Sequence, residues 1–357
     1  MEQRLLTIII PAYNVEKYVG QCLESLVKQT CRDFCAVIVD DGSKDANTSR
    51  ICQEYAKKYP EWMEYIRQEN KGLSGARNTG LRRVQTPYVA FLDSDDWLCI
   101  RFVERVKEEL TKYNDDCIDL VFTLPRVYDC ANGQMQDWMD KETFEEVFPE
   151  NARVVDMGDR TEIFYLEPNA CRRVYRTDFL RRCHFEFQEG TRWEDVYPHF
   201  YLLTQARKCL GIEDVGFNYR TNVPTSITAS GGKSRLEIVN VFRQSMDYLC
   251  GGGFSAEVLA SCVKMYTAFA VWSTEVAQEG VRREMIAQMH ELYRRIPEAA
   301  MRSYLRNKKR STYEERQFAK TMRSNMLYKM HFDYQTETMM NRALNLFHWT
   351  GGRKNGN

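Results

Sequence analysis

The chain carries no charge excess of either sign: 50 Lys and Arg balance 50 Asp and Glu over 357 residues. A general nucleic-acid binder needs a basic surplus to meet a phosphate backbone, so that class is excluded for the whole protein. No stretch approaches about 18 uninterrupted apolar residues, and no transmembrane helix is predicted. The opening MEQRLLTIII reaches Pro11 after too short an apolar run for a signal peptide, so secretion is not expected and a cytoplasmic location is. The twelve cysteines form no Cys-x-x-Cys pair. Cys31 and Cys35 lie four apart with no second pair or nearby His to complete a zinc set. Scattered, reduced and mostly buried thiols are expected. No Gly-x-x-x-x-Gly-Lys-Ser/Thr occurs, which excludes a Walker loop, and no Gly-x-Gly-x-x-Gly follows the first strand, which argues against a dinucleotide dehydrogenase. There is no internal repeat and no low-complexity tract.

What is present is a packed core and an alternating pattern. Hydrophobic residues make up 43% of the chain, and its length suits one large domain with an appendage, or two domains. Leu5–Ile10 is a β-branched run of the kind buried on both faces of a sheet. Strands are also predicted at Cys35–Val39, Met63–Ile66, Tyr88–Leu92 and Ile118–Thr123. Helices are predicted between them at Val15–Lys28, from an Asp45 cap to Lys58, at Ser74–Val84 and at Ile100–Tyr113. This order argues an α/β fold with a parallel sheet, right-handed crossovers and helices on both faces. Residues 126–190 give few clear periods; Asp195–Ala206 reads as helix and Asp214–Arg220 as strand. Ser230–Lys233 reads as a linker, and helices follow at 235–249, 256–278, 281–295 and 313–347. The expected division is 1–232, with halves 1–125 and 126–232, and a helical C-terminal region 233–357.

Three polar clusters follow three buried strands: Pro11-Ala12-Tyr13-Asn14, Asp40-Asp41-Gly42-Ser43 and Asp93-Ser94-Asp95-Asp96. Open α/β sheets bind ligands at the carboxyl ends of their strands, so these clusters converge on one rim. Each alone reads equally well as a turn or a helix cap. Three carboxylates at the end of PYVAFLDSDDW repel one another and are best tolerated around a hard divalent cation. Asp-x-Asp in extended chain turns both side chains to one side, so Asp93 and Asp95 can serve one Mg²⁺ or Mn²⁺ ion and its phosphates. A fourth cluster, Asn70 to Gly80, places Gly72 and Gly75 at a helix start that favours phosphate, with Arg77 as a cation.

Taken in order, IIIPAYN, VIVDDGSKD, NKGLSGARNTG and YVAFLDSDDW resemble the family 2 inverting glycosyltransferases of GT-A fold. The resemblance covers about the first 100 residues and continues more weakly at Arg192-Trp193-Glu194-Asp195 and at Tyr219-Arg220 through Ser226-Ile227-Thr228. It implies a GT-A-type sheet and a nucleotide-sugar donor, with UDP the expected nucleotide. It implies that Tyr13 packs on the base, with Pro11, Ala12 and Asn14 at that wall, and that Asp41 bonds the base with Asp40 behind it. Arg77 would lie near the base or diphosphate, Asp93 and Ser94 would face ribose or the metal shell, and Asp95 would bind Mn²⁺ or Mg²⁺. Asp195 would be the catalytic base, and the Arg220 to Thr228 stretch would close the donor site.

The chemistry agrees with that list. Cleaving a sugar–phosphate bond loads charge onto a leaving diphosphate, which cations neutralise, and one carboxylate removes the acceptor proton. A glycosidase would instead need two carboxylates flanking the bond. The expected acceptor is a hydroxyl of a growing surface glycan, polysaccharide, lipopolysaccharide or glycolipid. A sugar-phosphate nucleotidyltransferase on the same fold leaves Asp195 without a task, and a non-catalytic sugar-nucleotide binder leaves the carboxylates without one. From Met301 onward 12 Lys or Arg face only 4 Asp or Glu, interleaved with Tyr304, Tyr313, Phe318, Tyr328, Phe332, Phe347 and Trp349. This region reads either as a peripheral contact with anionic lipid on the inner membrane face, or as a solvated helical face whose aromatics pack inward.

Overall fold

The computed structural model describes residues 4–114, 117–157, 161–223 and 231–328. It divides into two compact units, Met1–Ala229 and Ser230–Asn357.

The first unit opens with β1 (Leu6–Ala12), α1 (Val19–Val27), β2 (Phe34–Asp40), α2 (Ala46–Lys58), β3 (Met63–Arg67), α3 (Gly72–Leu81) and β4 (Tyr88–Phe91). Then come β5 (Trp97–Leu98), α4 (Phe102–Tyr113), β6 (Ile118–Asp129), β7 (Gln134–Asp137), α5 (Lys141–Val147) and β8 (Val154–Asp156). The unit closes with β9 (Arg173–Arg176), α6 (Thr177–Arg182), α7 (Val196–Gln205) and β10 (Lys208–Thr221). The main path of the sheet runs β3-β2-β1-β4-β9-β6-β10-β5. β1 pairs in parallel with both β2 and β4, and β2 in parallel with β3.

Right-handed crossovers fix where the helices lie. The steps β1 to β2 and β2 to β3 move in one direction across the sheet, so α1 and α2 cover one face. The step from β3 to β4 reverses past β1 and sends α3 to the other face. All seven residues of β1 are buried, as a strand covered on both sides must be. α3 approaches β1 so closely that a Cβ on Gly80 would lie 2.4 Å from the Ile9 side chain, which is why that helix carries glycine there. Asp45 caps α2 as expected, accepting a hydrogen bond from the Thr48 amide at 2.6 Å.

The sheet departs from the expected parallel order beyond β4. β9 is inserted antiparallel between β4 and β6, and β5 runs antiparallel to β10. A parallel partner for β4 needs a crossover, whereas β9 arrives after a long irregular excursion and enters from the opposite end. β6 extends to Asp129, six residues past its expected end at Thr123, because it pairs with β9, β10 and the β7 hairpin together.

The second unit contains α8 (Glu237–Gly251), α9 (Ala256–Val276), α10 (Glu279–Arg295), α11 (Glu298–Arg306), α12 (Tyr313–Arg323) and the single turn α13 (Asn325–Tyr328). Its core is aromatic: Tyr266 stacks on Tyr293 at 5.1 Å, and the Tyr293 hydroxyl meets Thr267 Oγ1 at 2.6 Å. Two expectations need correction here. The sequence pattern leaves 296–312 without a helix, yet α11 lies there, starting directly after Pro297, since proline suits a helix start. The helix expected at 313–347 ends at Arg323, because Ser324 is extended; α13 follows as a single turn to Tyr328, and residues 329–347 lie outside the described residues. Tyr304 and Phe318 are buried packing residues, while Tyr313 is 65% exposed. Phe332, Phe347 and Trp349 lie outside the described residues, as does the Ser226-Ile227-Thr228 stretch. Among the described residues, no helix is long and apolar enough to cross a membrane.

Candidate active site

The carboxyl ends of β2, β1 and β4 lie side by side, so the three polar clusters do share one rim. Pro11 and Ala12 are buried at the end of β1, and Tyr13 emerges from it with 38% of its surface exposed. Asn14 turns the chain with φ of 51°. Its side-chain oxygen accepts from the Lys44 amide at 2.8 Å, which ties the first cluster to the second.

Asp40 and Asp41 divide the work at the second strand end. Asp40 is buried and accepts from the Ser43 amide, the Ser49 and Tyr65 hydroxyls and Arg67 at 2.6–3.2 Å. Burial opposes its charge, but these donors outweigh that and hold the carboxyl below its usual range. Asp40 therefore fastens the loop. Asp41 Oδ1 accepts from the Lys71 amide at 2.9 Å and from Gln68 at 2.7 Å, which joins the second cluster to the start of α3.

The largest departure from expectation is Arg77. Its side chain is 1% exposed, far from the solvent-facing cation suited to a diphosphate. Nη2 donates to Asp93 Oδ1 at 2.9 Å, and Nη1 donates to Glu194 Oε1 at 2.8 Å and Asp195 Oδ1 at 3.0 Å. The guanidinium lies 5.8 Å from the Phe91 ring and 5.2 Å from the Phe187 ring, within cation–π range. One arginine from α3 thus gathers carboxylates from the end of β4 and from the start of α7. Burial disfavours its charge, but the three carboxylates outweigh that and raise its proton affinity further.

Asp195 sits at the N-terminus of α7, and its Oδ2 accepts from the Ala170 amide at 3.2 Å. Burial pushes Asp195 up, partly offset by Arg77. Glu194 is pushed up by burial and by Asp195 beside it. A carboxylate so raised is a stronger base near neutral pH than an ordinary one. The backbone just before it is unusual: Trp193 has φ of 62°, a conformation that costs a bulky residue about 1–3 kcal/mol.

The acidic strand end is crowded and caged. Burial and Asp93 push Asp95 up to about 6. Asp96 is driven up by burial, then by Asp95 and Asp93, and its Oδ2 is a buried acceptor with no hydrogen-bond partner. Ser94 is buried between them. Arg220 braces this loop from β10, donating its amide to Asp96 Oδ1 at 2.7 Å and Nε to the Asp95 carbonyl at 2.5 Å. Its guanidinium lies 4.5 Å from Trp97 and 4.9 Å from Tyr18, and Nη2 reaches Gln21. Like-charged, partly neutralised carboxylates with an unpaired oxygen are what a hard cation would relieve. A Mg²⁺-type ion takes one or two carboxylates and completes its shell with phosphate and water. Asp95 and Asp93 suffice for that, and no closed cage of three His, Cys, Asp or Glu side chains exists among the described residues.

Sequence reasoning missed three contributors. Glu167 lies near Asp195, pushed up to about 8 by burial, and Asp140 and Arg172 pair at 2.5 Å beside it. All three fall in the stretch that has no readable period.

A mixed sheet of this order masses carboxylates where β4 ends and α7 begins. Residues 7–157 match the family model for glycosyl transferase family 2, and this part of the chain is a family 2 glycosyltransferase domain. Glycosyltransferase GlyA of Streptococcus pneumoniae is 44% identical over 111 residues, covering 31% of this chain and 16% of that protein. The teichoic acid poly(glycerol phosphate) polymerase of Staphylococcus epidermidis is 31% identical over 190 residues, covering 52% of this chain and 24% of that one. The chain thus aligns with less than a quarter of the length of either relative. Among solved structures, residues 1–349 of S. aureus TarS, in complex with UDP-GlcNAc, superpose with a TM-score of 0.67 at 18% identity, covering 89% of this chain and 90% of that one. The last comparison shows shared fold.

If Arg77 is the internal tie between strand end and helix start, replacing it exposes the like charges to one another. Arg77→Met should destabilise the first unit by about 3–5 kcal/mol, because it leaves buried carboxylates uncompensated. Arg77→Lys should recover only part, since an ammonium lacks the planar fork that reaches three partners. Urea unfolding monitored by circular dichroism is the check.

Proposed function

We propose that the protein is an inverting glycosyltransferase that moves a sugar from a UDP-linked donor to a hydroxyl of a growing surface glycan. The observation that carries this reading is the joining of Asp195, Glu194 and Asp93 on the single buried guanidinium of Arg77. It brings a raised carboxylate at the start of α7 to the acidic strand end where a donor diphosphate would be held. The UDP-GlcNAc seen in TarS, and the cell-wall polymer named for the Staphylococcus epidermidis relative, support the choice of donor and acceptor class.

In this reading Tyr13, with Pro11, Ala12 and Asn14, forms the wall for the base, and Asp41 bonds it. Asp93 and Ser94 face the ribose and phosphates. Asp195 accepts the acceptor's hydroxyl proton as that oxygen attacks the anomeric carbon. The bond from that carbon to the diphosphate breaks and UDP leaves from the opposite face, so the configuration inverts. Arg77 holds Asp195 in place and favours its charged form against burial, and Glu194 bonds the same nitrogen. A Mn²⁺ or Mg²⁺ ion held by Asp95 and Asp93 would supply charge neutralisation for the departing diphosphate.

The base assignment is checked with Asp195→Asn, which keeps shape but cannot take the proton. Transfer to acceptor should fall by ~10²–10⁴-fold while UDP affinity by calorimetry stays near wild type. Near-normal transfer would remove Asp195 from the mechanism. In the same calorimeter, Asp95→Ala should abolish any gain in UDP affinity from Mn²⁺, and equal wild-type affinity in EDTA would remove the metal.

A peripheral contact with an anionic membrane belongs to the same reading. Arg302, Arg306, Lys308 and Lys309 are exposed on and after α11, with exposed Tyr313 beyond them. Sedimentation with phosphatidylglycerol vesicles should occur at low salt and reverse as salt rises. Failure to bind at low salt would assign these residues to ordinary solvated surface.

A further inference from the structure

The segment Glu167–Arg172 carries no element longer than one 3₁₀ turn, at Ala170–Arg172, yet it delivers the amide that meets Asp195 Oδ2. What fixes this segment is Asp140. Asp140 stands at the N-terminus of α5, where an aspartate ordinarily caps its own helix, but its side chain makes no capping bond. Its Oδ2 reaches across the chain instead, accepting from the Glu167 amide at 2.6 Å and from Arg172 Nη1 at 2.5 Å. One carboxylate oxygen therefore pins both ends of a six-residue loop. Within the loop, Asn169 accepts from the Cys171 amide at 2.8 Å and sets the turn, leaving the Ala170 N–H directed at Asp195.

We infer that Asp140 is a positioning residue for Asp195, acting through the Ala170 amide. The inference rests on the proposed function only for the catalytic consequence; the placement of the carboxylate stands by itself.

Stability gives no sufficient reason for this arrangement. Asp140 Oδ1, Glu167 Oε2, Arg172 Nε and Nη2, and Trp138 Nε1 are all buried without hydrogen-bond partners. Each such group costs about 1–3 kcal/mol, and an apolar replacement of a buried ion pair is often neutral or stabilising. The cluster is kept next to the Asp195 carboxylate despite that cost. With Arg77 on Oδ1 and Ala170 on Oδ2, the carboxylate plane is fixed from two sides, and each oxygen retains a lone pair for a proton.

The test reads the carboxylate itself. Protein labelled with ¹³C at aspartate side-chain carbons is titrated, and the Asp195 signal is assigned by its loss in Asp195→Asn. Asp195 is faced by Arg77 from α3, Asp93 from the end of β4 and Glu194 from its own segment. From the loop and β9 it is faced by Glu167, Cys171, Arg173 and Tyr175. All of these stay unchanged in the two variants. Ala170→Pro deletes the N–H at the first position of its turn, after Asn169 whose extended backbone (φ −143°, ψ 122°) accepts a following proline. Asp140→Asn loosens the loop while keeping an acceptor for Arg172.

A hydrogen bond to the charged form lowers a carboxyl pKa, so both variants should raise the Asp195 midpoint, by roughly 0.5–1 pH unit, a 3- to 10-fold gain in proton affinity. Simple loss of the Asp140 negative charge would act in the opposite direction, so the sign separates positioning from through-space electrostatics. An unchanged or lowered midpoint in the folded variants overturns the inference. So does loss of folding in both, which would make Asp140 a structural residue only. A raised midpoint combined with full transfer by Asp195→Asn would leave the positioning intact and defeat the proposed mechanism instead.

Discussion

Everything in the first unit turns on a buried cation that three carboxylates share. A guanidinium with 1% exposure has no water to solvate it, so Arg77 is viable only if its charge is matched where it sits. Asp93, Glu194 and Asp195 match it, and they come from positions more than a hundred residues apart. That requirement reaches outward. α3 must lie close on β1, which needs Gly80, and its N-terminus must meet Asp41, which needs the β2 loop that Asp40 fastens. The segment before α7 must bend through Trp193 at positive φ to bring both acidic side chains to one nitrogen. Electrostatic matching thus orders loops that hydrophobic burial alone would leave undefined.

Much of this was legible from the residues. β1 to β4 show themselves because strands buried on both faces are continuous apolar runs, and the polar clusters that end them stand out against that background. The Asp45 cap is equally plain, since a local bond defines it. Long-range contacts are what escaped. β9 contributes only Arg173–Arg176, a stretch with two charged residues, and enters the sheet because β4 and β6 both lack a partner there. Arg77 looked like a phosphate ligand because a glycine-rich helix start is usually one, and no local pattern states that its partners lie at 194 and 195. Asp140 and Glu167 carry no motif at all; only folding shows that one carboxylate spans both ends of a loop.

The helical unit illustrates the same division. Its apolar periodicity announced α8 to α10, while α11 was hidden by a proline that opens it rather than breaking it. Aromatics that composition grouped together separate by burial: Tyr304 and Phe318 serve the core, and Tyr313 faces solvent among basic residues.

The claim at the centre is that Arg77 organises the site's carboxylates from within and does not contact the donor. A crystal structure with UDP and Mg²⁺ decides it directly. The account predicts Arg77 still hydrogen-bonded to Asp93, Glu194 and Asp195, with the cation about 2.1 Å from an Asp95 oxygen. An Arg77 side chain turned onto the diphosphate, or a cation bound away from the acidic strand end, would contradict it.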